Sequence, residues 1–370
     1  MLETYPASRP PVLPPGDSAV GGMTAGGGDP RTDRSIDPTM ASATQPSRQP
    51  DDGIRVTAIV STYQAERFMQ GCLEDLLRQS IAEQMEIIVV DSCSPQDEGR
   101  IVRTFQQRHP NIVYLRTDQR EGLYKAWNRA VEMARGRYLT NANTDDRHHP
   151  QSFERLAAVL DAAPQHVLAY HYQIVSDIEN ETFEDCLVRQ PPVRRYPTFS
   201  LPDMLRGCIV GSQPMWRRSV HAEHGLFSER YRIAGDYEFW ARIAQTHTFA
   251  TVPEALGLFY DSPHTLSGIG SRLTVDTESL EIQLKYLAVK PWRDDPGNRK
   301  VLANYLFGVG YRYVELLKDL KSARVFLREA MRLDPTNFRY AKTYLLRGLL
   351  QSSWGMDMGD APRAASRNKA

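Results

Sequence analysis

The sequence predicts an α/β fold built on a mostly parallel central sheet, and two observations lead to that prediction. Apolar, β-branched runs alternate with segments whose apolar residues recur at helical spacing, in the order strand, helix, strand, helix, strand. The run MEIIVVD at residues 85–91 lacks polar alternation, which is typical of a strand buried on both faces. Parallel neighbours need crossover connections, and the intervening helices would supply them.

The first half of the sheet is predicted from Ile54 onwards. IRVTAIV at residues 54–60 indicates a strand, and Phe68 with the leucines up to Leu77 indicates the helix after it. A second helix is predicted around residues 101–107, followed by a short strand, IVYL. Ligands of such sheets bind beyond the carboxyl ends of the strands, which predicts a site at the loops that begin with Ser61 and Asp91.

The second half of the pattern continues with a helix over residues 123–134, for which Gly136 is the predicted C-cap. The strand RYLT, the polar loop NANTDDRHHP and a helix over residues 153–160 come next. The first loop lacks GxGxxG, which disfavours a dehydrogenase of the dinucleotide-binding type.

Composition excludes several classes of protein. Forty-five basic residues balance 45 acidic ones, so no basic surface for nucleic acid is predicted. The four cysteines are scattered without a CxxC pair, which favours a reducing, cytoplasmic setting. No run approaches the roughly 20 apolar residues of a membrane span, and no secretory signal is visible, so membrane contact is expected to be peripheral, at the inner face.

Five blocks of sequence, in order, resemble the family 2 glycosyltransferases. The blocks are VSTYQAERFMQGCLEDLLRQS, EIIVVDSCS, REGLYKAWNRAVEMARGRYL, NTDDRHHP and AGDYEFWARIA, within residues 55–265. The resemblance implies a GT-A type nucleotide-binding domain. It also implies inverting, metal-dependent transfer of a sugar from a UDP-, GDP- or dTDP-linked donor to a hydroxyl of a glycan, a lipid-linked or another acceptor, as in cell-surface polysaccharide or glycan biosynthesis.

Three residues at strand ends are candidates for nucleotide binding. Thr62 and Tyr63 end the first strand, where they could hydrogen-bond to a base and stack on it. Asp91 ends the second strand, where it could accept a base N–H or a ribose hydroxyl. Ser92 and Cys93 depart from the acidic residue and glycine common in the family, so the identity of the base stays open.

The NTDD segment occupies the place of the family's Asp-x-Asp metal motif. Oxygen ligands of the protein hold Mg²⁺ or Mn²⁺, and the cation neutralises the negative charge of a nucleotide diphosphate. Asn143 stands at the first acidic position and Asp145 at the second, and Asp146 is the alternative metal ligand. His264, in FYDSPHTLSG, is a candidate third ligand or an ordinary surface residue. His148 and His149 are expected behind the ligands or on the surface.

The resemblance also implies the catalytic base. Asp236, after Gly235 and at the start of a predicted helix, matches the residue that accepts the proton of the acceptor hydroxyl. Glu238 is the alternative base, and Trp240 matches an aromatic residue that lines the acceptor pocket. Lys125 stands where related sequences often carry an acid, and it is expected either to pair with the diphosphate or Asp145, or to be a solvated helix residue.

The predicted organisation has four parts: a disordered tail at 1–53, rich in proline and glycine, a catalytic domain at 54–271, a helical extension at 272–354 and a second disordered tail at 355–370. Within the extension, SARVFLREAMRLDPTNFRYA looks like part of a tetratricopeptide repeat. The main alternative function is a non-catalytic interaction protein, for which Asn143 would mark lost chemistry and the helices would bind partners. Nucleotidyltransferase chemistry is disfavoured because a glycine-rich phosphate loop is missing.

Overall fold

The computed structural model describes residues 53–263, 265 and 268–346, apart from the side chain of residue 269. All of them belong to one compact unit, Gln49–Ala370. The predicted tails at 1–53 and 355–370 lie outside the described residues, with the exception of residue 53. Among the described helices, none combines the length and apolar character needed to cross a lipid bilayer.

Nine strands form one sheet. They are β1 (Val56–Thr62), β2 (Met85–Asp91), β3 (Ile112–Arg116), β4 (Tyr138–Asn141), β5 (Arg147–His148), β6 (His166–Ser176), β7 (Val193–Arg194), β8 (Met215–Arg217) and β9 (Thr248–Tyr260).

Helices connect these strands and then continue beyond them. They are α1 (Glu66–Leu77), α2 (Glu98–Gln106), α3 (Leu123–Met133), α4 (Ser152–Ala162), α5 (Phe183–Arg189), α6 (Leu201–Met204), α7 (Val220–His224), α8 (Gly235–Ile243), α9 (Arg272–Leu287), α10 (Gly297–Glu315), α11 (Leu320–Leu333) and α12 (Phe338–Thr343).

The sheet has the strand order β3-β2-β1-β4-β8-β6-β9-β5, and β7 pairs with β6. The ladders β3-β2-β1-β4 and β6-β9 are parallel, whereas each antiparallel pairing is only two or three residues long. In β1–β2, Thr62 lies opposite Asp91. The prediction of a mostly parallel sheet is therefore confirmed, with a short antiparallel strand, β8, joining its two parallel parts.

Helices cover both faces of the sheet because the central strands are apolar on both sides. On one face, Ala58 and Val60 of β1 pack with apolar residues of α1 and α4. On the other, Ile59 packs in a second core with Trp127 of α3 and with residues of α8 through α11. All seven residues of β2 are buried, as expected for a strand covered on both faces.

The helical region after the sheet shares this second core. α10 and α11 are joined by a short turn and pack closely, with Leu306 facing Phe326 and Leu327 in one cluster. Gly310 lies against Leu327, so that a Cβ there would meet the leucine Cγ at 2.7 Å. The predicted helical extension is present, whereas the tetratricopeptide-like character of this hairpin stays a prediction.

Gly136 does not cap α3. The C-cap of α3 is Ala134, in an extended conformation, and Gly136 has no left-handed backbone. A Cβ on Gly136 would come within 2.5 Å of the Thr57 backbone nitrogen. Glycine is present at position 136 because the backbone of β1 lies too close for a side chain. This tertiary contact is not visible in the local sequence.

Candidate active site

A cavity of about 780 Å³ opens at the carboxyl ends of the first strands. Its walls come from the loops after β1 and β4, from the start of α3 and from residues 229–236 ahead of α8. This is the edge at which ligands bind in parallel sheets, and the volume falls in the range of small-molecule sites. The cavity is therefore the candidate active site.

Most of the predicted site residues line this cavity. They are Thr62, Tyr63, Lys125, Asn143, Asp145, Asp146 and Asp236. Asp91 and Trp240 do not line it. His264 lies outside the described residues.

The Asp91 carboxylate is enclosed by protein groups. It is fully buried and accepts hydrogen bonds from the Ser94 amide at 2.8 Å, the Tyr114 hydroxyl at 2.6 Å and the Arg116 guanidinium at 2.5 Å. This position argues against the predicted contact of the Asp91 carboxylate with a base N–H or a ribose hydroxyl. Asp91 ends β2 as expected, but Arg116, which was not predicted, neutralises it, and the pair fixes the loop after the strand.

Trp240 is a core residue rather than a wall of the cavity. It is 1% exposed and packs edge-on against Trp216, with ring centroids 5.1 Å apart. The physical reason is the direction of α8, which begins at the cavity and runs into the core. One helical turn beyond Asp236 is about 5.4 Å deeper. The predicted contact with an acceptor is therefore not supported.

Tyr63 and Arg120 lie together at the cavity. The Arg120 guanidinium carbon is 4.1 Å from the centroid of the Tyr63 ring. Glu98 stabilises the loop that carries Tyr63. Its Oε1 accepts from the Ala65 amide and from the Ser94 hydroxyl, both at 2.8 Å. Arg120 was not predicted. Its only sequence signal is its place among polar residues just before α3.

The adjacent carboxylates of the NTDD segment have different surroundings. Asp146 is 2% exposed, and it accepts from the Tyr260 amide at 3.1 Å, the Ser212 hydroxyl at 3.1 Å and the Asn143 amide at 3.0 Å. The Asp145 carboxylate accepts from its own backbone N–H, and within the described residues no other side chain donates to it. Burial and the neighbouring Asp146 charge raise the pKa of Asp145. Asp146 is thus held by three donors from other residues, and Asp145 lines the cavity without a side-chain donor.

Lys125 pairs with neither Asp145 nor Asp146. Its Nζ lies 3.1 Å from Glu121, which also forms a two-pronged pair with Arg129 at 2.6 Å for both contacts. These cations lower the pKa of Glu121. Lys125 therefore lies at the cavity wall with a carboxylate partner one turn away, and it is neither an isolated cation nor a fully solvated residue.

Asp236 has one carboxylate oxygen fixed by the protein. Its Oδ1 accepts from the Tyr237 amide at 2.7 Å and contacts the Tyr124 hydroxyl at 3.1 Å. Burial raises the pKa of Asp236 to about 6, whereas the hydrogen bonds from Tyr237 and Tyr124 act in the opposite direction. Asp236 is not the helix cap, because α8 begins at Gly235 with Ala234 as N-cap. Tyr124 was predicted only as a helix residue.

Two further residues of the sequence analysis, Glu238 and His148, are buried. Glu238 is 2% exposed and its oxygens are occupied by Arg242 at 2.6 Å, Lys285 at 2.9 Å and Tyr286 at 2.8 Å, so the alternative base has no access to a substrate. His148 lies behind Asp146 in a buried pair with Asp75, with Nδ1 and Oδ2 2.7 Å apart. These positions leave Asp236 as the available carboxylate beside Tyr124.

Known proteins resemble this chain in sequence. Residues 57–225 match the model of the family described as Glycosyl transferase family 2. An uncharacterized glycosyltransferase, EpsJ of Bacillus subtilis, is 33% identical over 232 residues, which cover 60% of this chain and 65% of EpsJ. The family match ends before Asp236, so this residue lies outside the matched segment, whereas its neighbour Tyr124 lies within it.

Solved structures share the fold. Staphylococcus aureus TarS 1-349 in complex with UDP-GlcNAc superposes with a TM-score of 0.57 at 17% identity, covering 76% of this chain and 83% of TarS 1-349. The mannosyltransferase PcManGT of Pyrobaculum calidifontis, in complex with GDP-Man and Mn²⁺, gives 0.51 at 18% identity and covers 85% and 87%. The predicted GT-A type fold followed by helices is thereby confirmed.

Proposed function

We propose, from the premise that the chain is a glycosyltransferase, that it transfers a sugar with inversion from a nucleotide-sugar to an acceptor hydroxyl, with Asp236 as the base. One observation carries this proposal. Asp236 and Asp145 line the same cavity, and the hydrogen bonds from the Tyr237 amide and the Tyr124 hydroxyl both go to one oxygen of Asp236, Oδ1. Metal-dependent inverting transfer uses a base for the acceptor hydroxyl and oxygen ligands for the cation that binds the diphosphate.

The donor is assigned to the part of the cavity between β1 and α3. Tyr63 offers a ring face for a base, and Arg120 beside it offers a cation for the base or a phosphate. Lys125 and Arg67 also line this cavity, where they could approach the diphosphate. TarS was solved with UDP-GlcNAc and PcManGT with GDP-Man, which supports a nucleotide-sugar donor but leaves the base and the sugar open.

The residues of the NTDD segment fit a divalent cation. Burial and, after it, the charge of the adjacent Asp146 raise the pKa of Asp145, and a bound cation would stabilise both carboxylates in their charged form. We assign Asp145 as the ligand, with the side-chain carbonyl of Asn143 as a second oxygen, and Asp146 as the residue that holds this loop in place. Bound Mg²⁺ or Mn²⁺ would neutralise the charge of the departing diphosphate.

Asp236 would act in a single displacement. Its free oxygen takes the proton of the acceptor hydroxyl while the acceptor oxygen attacks the anomeric carbon. The bond from that carbon to the diphosphate oxygen breaks, and the nucleotide leaves with the electron pair. Because attack and departure occur on opposite sides of the carbon, the configuration inverts. A pKa of about 6 keeps Asp236 mostly deprotonated at neutral pH, as a base requires.

The experiment begins with thermal-shift screening of UDP-, GDP- and dTDP-sugars with and without Mn²⁺, followed by transfer assays with the donor that binds. Asp236→Asn should lower kcat by about 10²-fold or more while the donor Kd changes little. Asp97→Asn, at an exposed carboxylate outside the cavity, is the control and should match the parent. Equal losses of donor binding and turnover in Asp236→Asn would contradict its role as the base. A product with retained anomeric configuration would contradict the single displacement.

A further inference from the structure

The C-terminal helix α9 reaches the segment that carries Asp236. Glu278, Glu281 and Lys285 follow each other at intervals of three and four residues, so they share one face of α9. That face lies against residues 230–234, here called the base loop, and against α8. Glu281 contacts Arg230 at 2.7 Å, and Lys285 contacts Glu238 at 2.9 Å. The base loop is therefore held by a helix outside the sheet.

Glu278 makes the closest set of contacts with the base loop. Its Oε1 accepts from the Arg232 amide at 2.7 Å, and its Oε2 accepts from the Ile233 and Ala234 amides at 2.9 and 2.8 Å. Three successive backbone N–H groups thus donate to one carboxylate just before α8. The N-cap residue Ala234 has no side chain that could cap the helix, so Glu278 supplies a negative charge at this end from a distant segment.

The base loop and Asp236 are coupled through Tyr124. The Tyr124 hydroxyl contacts both the Ile233 carbonyl and Asp236 Oδ1. Gly235 lies so close to the Tyr124 ring that a Cβ there would be 2.6 Å from it. A shift of the Ile233 carbonyl therefore moves the hydroxyl that orients the Asp236 carboxylate.

We propose that Glu278 is a positioning residue for the catalytic base, fixing the base loop so that Tyr124 and Asp236 keep their arrangement. The proposal rests on the assignment of Asp236 as base and gives the C-terminal helices a part in the active site. The Tyr124 hydroxyl of α3 and the Tyr237 amide of α8 contact Asp236, whereas the Cys208 thiol and the Glu278 carboxylate of α9 interact with it electrostatically. Burial is the main cause of the raised pKa of Asp236, and the negative charge of Glu278 acts in the same direction.

The test compares Glu278→Gln with Asp276→Asn. Asp276 is a buried carboxylate on the same helix that accepts from the Tyr313 hydroxyl at 2.9 Å and has no contact with the base loop, so its variant reports the cost of loosening α9 alone. Glu278→Gln should lower kcat on the order of tenfold or more with donor Kd unchanged, because displaced catalytic groups lose rate steeply. The acid limb of its pH profile should move to lower pH, and that of Asp276→Asn should not.

Two NMR measurements decide the proposal even without a known substrate. In Glu278→Gln, the amides of residues 232–234 should exchange faster than in the parent, and the Asp236 carboxyl should titrate at lower pH. If Glu278→Gln does not fold, Glu278→Asp is the second variant, because it keeps the charge but shortens the side chain. It should lower kcat with little change in the acid limb of the pH profile. Unchanged amide exchange and titration, or equal effects of the Glu278 and Asp276 variants, would overturn the proposal. Absence of transfer by the parent with every donor would refute the proposed function alone.

Discussion

Replacing Tyr124 with phenylalanine removes the hydroxyl that contacts the candidate base, Asp236, and leaves the aromatic ring in place. The ring packs edge-on with Trp127 at 5.5 Å and against Gly235, so the shape of the site is retained. The hydroxyl contact with Asp236 Oδ1, at 3.1 Å, favours the carboxylate form. Its loss must raise the pKa of Asp236, because the charged state loses a donor.

The magnitude follows from the geometry. Hydrogen bonds to charged groups contribute about 1.5–3 kcal/mol, and the lower end applies because the Ile233 carbonyl shares this hydroxyl. About 1.4 kcal/mol corresponds to one pKa unit, so the pKa of Asp236 should rise from about 6 to about 7. At pH 6 the deprotonated fraction then falls from about one half to about one tenth, whereas at pH 9 it hardly changes.

The assay is the pH dependence of kcat/KM for sugar transfer, whose acid limb reports the base in the free enzyme. Tyr124→Phe should show about fivefold lower kcat/KM at pH 6 and near-parental activity at pH 9. Tyr114→Phe is the control, since it removes a tyrosine hydroxyl from a carboxylate, Asp91, that lies outside the cavity. An equal loss at every pH would show that Tyr124 has only a packing role. An unmoved limb would refute Asp236 as the group that titrates.

Two further predictions concern the metal loop and the close approach at β1. Asp145→Asn should abolish the Mn²⁺-dependent part of donor binding, measured by calorimetry, with little change in Tm. Asp146→Asn should lower the free energy of unfolding by about 1–3 kcal/mol, because three donors lose a charged acceptor. The reverse pattern would exchange the roles assigned to the two aspartates. Gly136→Ala should cost about 1–3 kcal/mol in denaturant unfolding, since its Cβ would meet backbone 2.5 Å away. Gly308→Ala, in α10 with open space around it, is the matched control and should be neutral or stabilising by up to about 1 kcal/mol.

Sequence periodicity was sufficient for the elements that are strongly patterned. The predicted strand at 85–91 coincides with β2, and the helix predicted at 123–134 coincides with α3 to within a residue. The rule for parallel sheets predicted a site at the loop that begins with Ser61, and Tyr63 in that loop lines the cavity; Asp145 and Asp236, which were assigned from the family resemblance, line it too. Local pattern and topology together therefore locate the site.

Contacts between distant segments were beyond the reach of the same reasoning. Whether Asp91 faces a ligand or the protein depends on Arg116, which is an edge residue of β3 whose side-chain direction has no local signal. Trp240 was assigned by position in a motif, but the direction of α8 carries it into the core. The contacts of Glu278 with the base loop depend on how α9 packs against the start of α8, which no pattern in residues 272–287 predicts.

Asn143 gains a different meaning from its surroundings. In the sequence it stands where an aspartate was expected, which suggests a weakened metal site. In the structure its amide donates to Asp146 Oδ2 at 3.0 Å, and Asp146 is buried and also accepts from Ser212 and Tyr260. A carboxylate at 143 would face that buried anion at hydrogen-bond distance and remove a donor from it, at a cost in both repulsion and desolvation. Asparagine therefore gives Asp146 a hydrogen-bond donor where an aspartate would repel it, so its presence is no argument against catalysis.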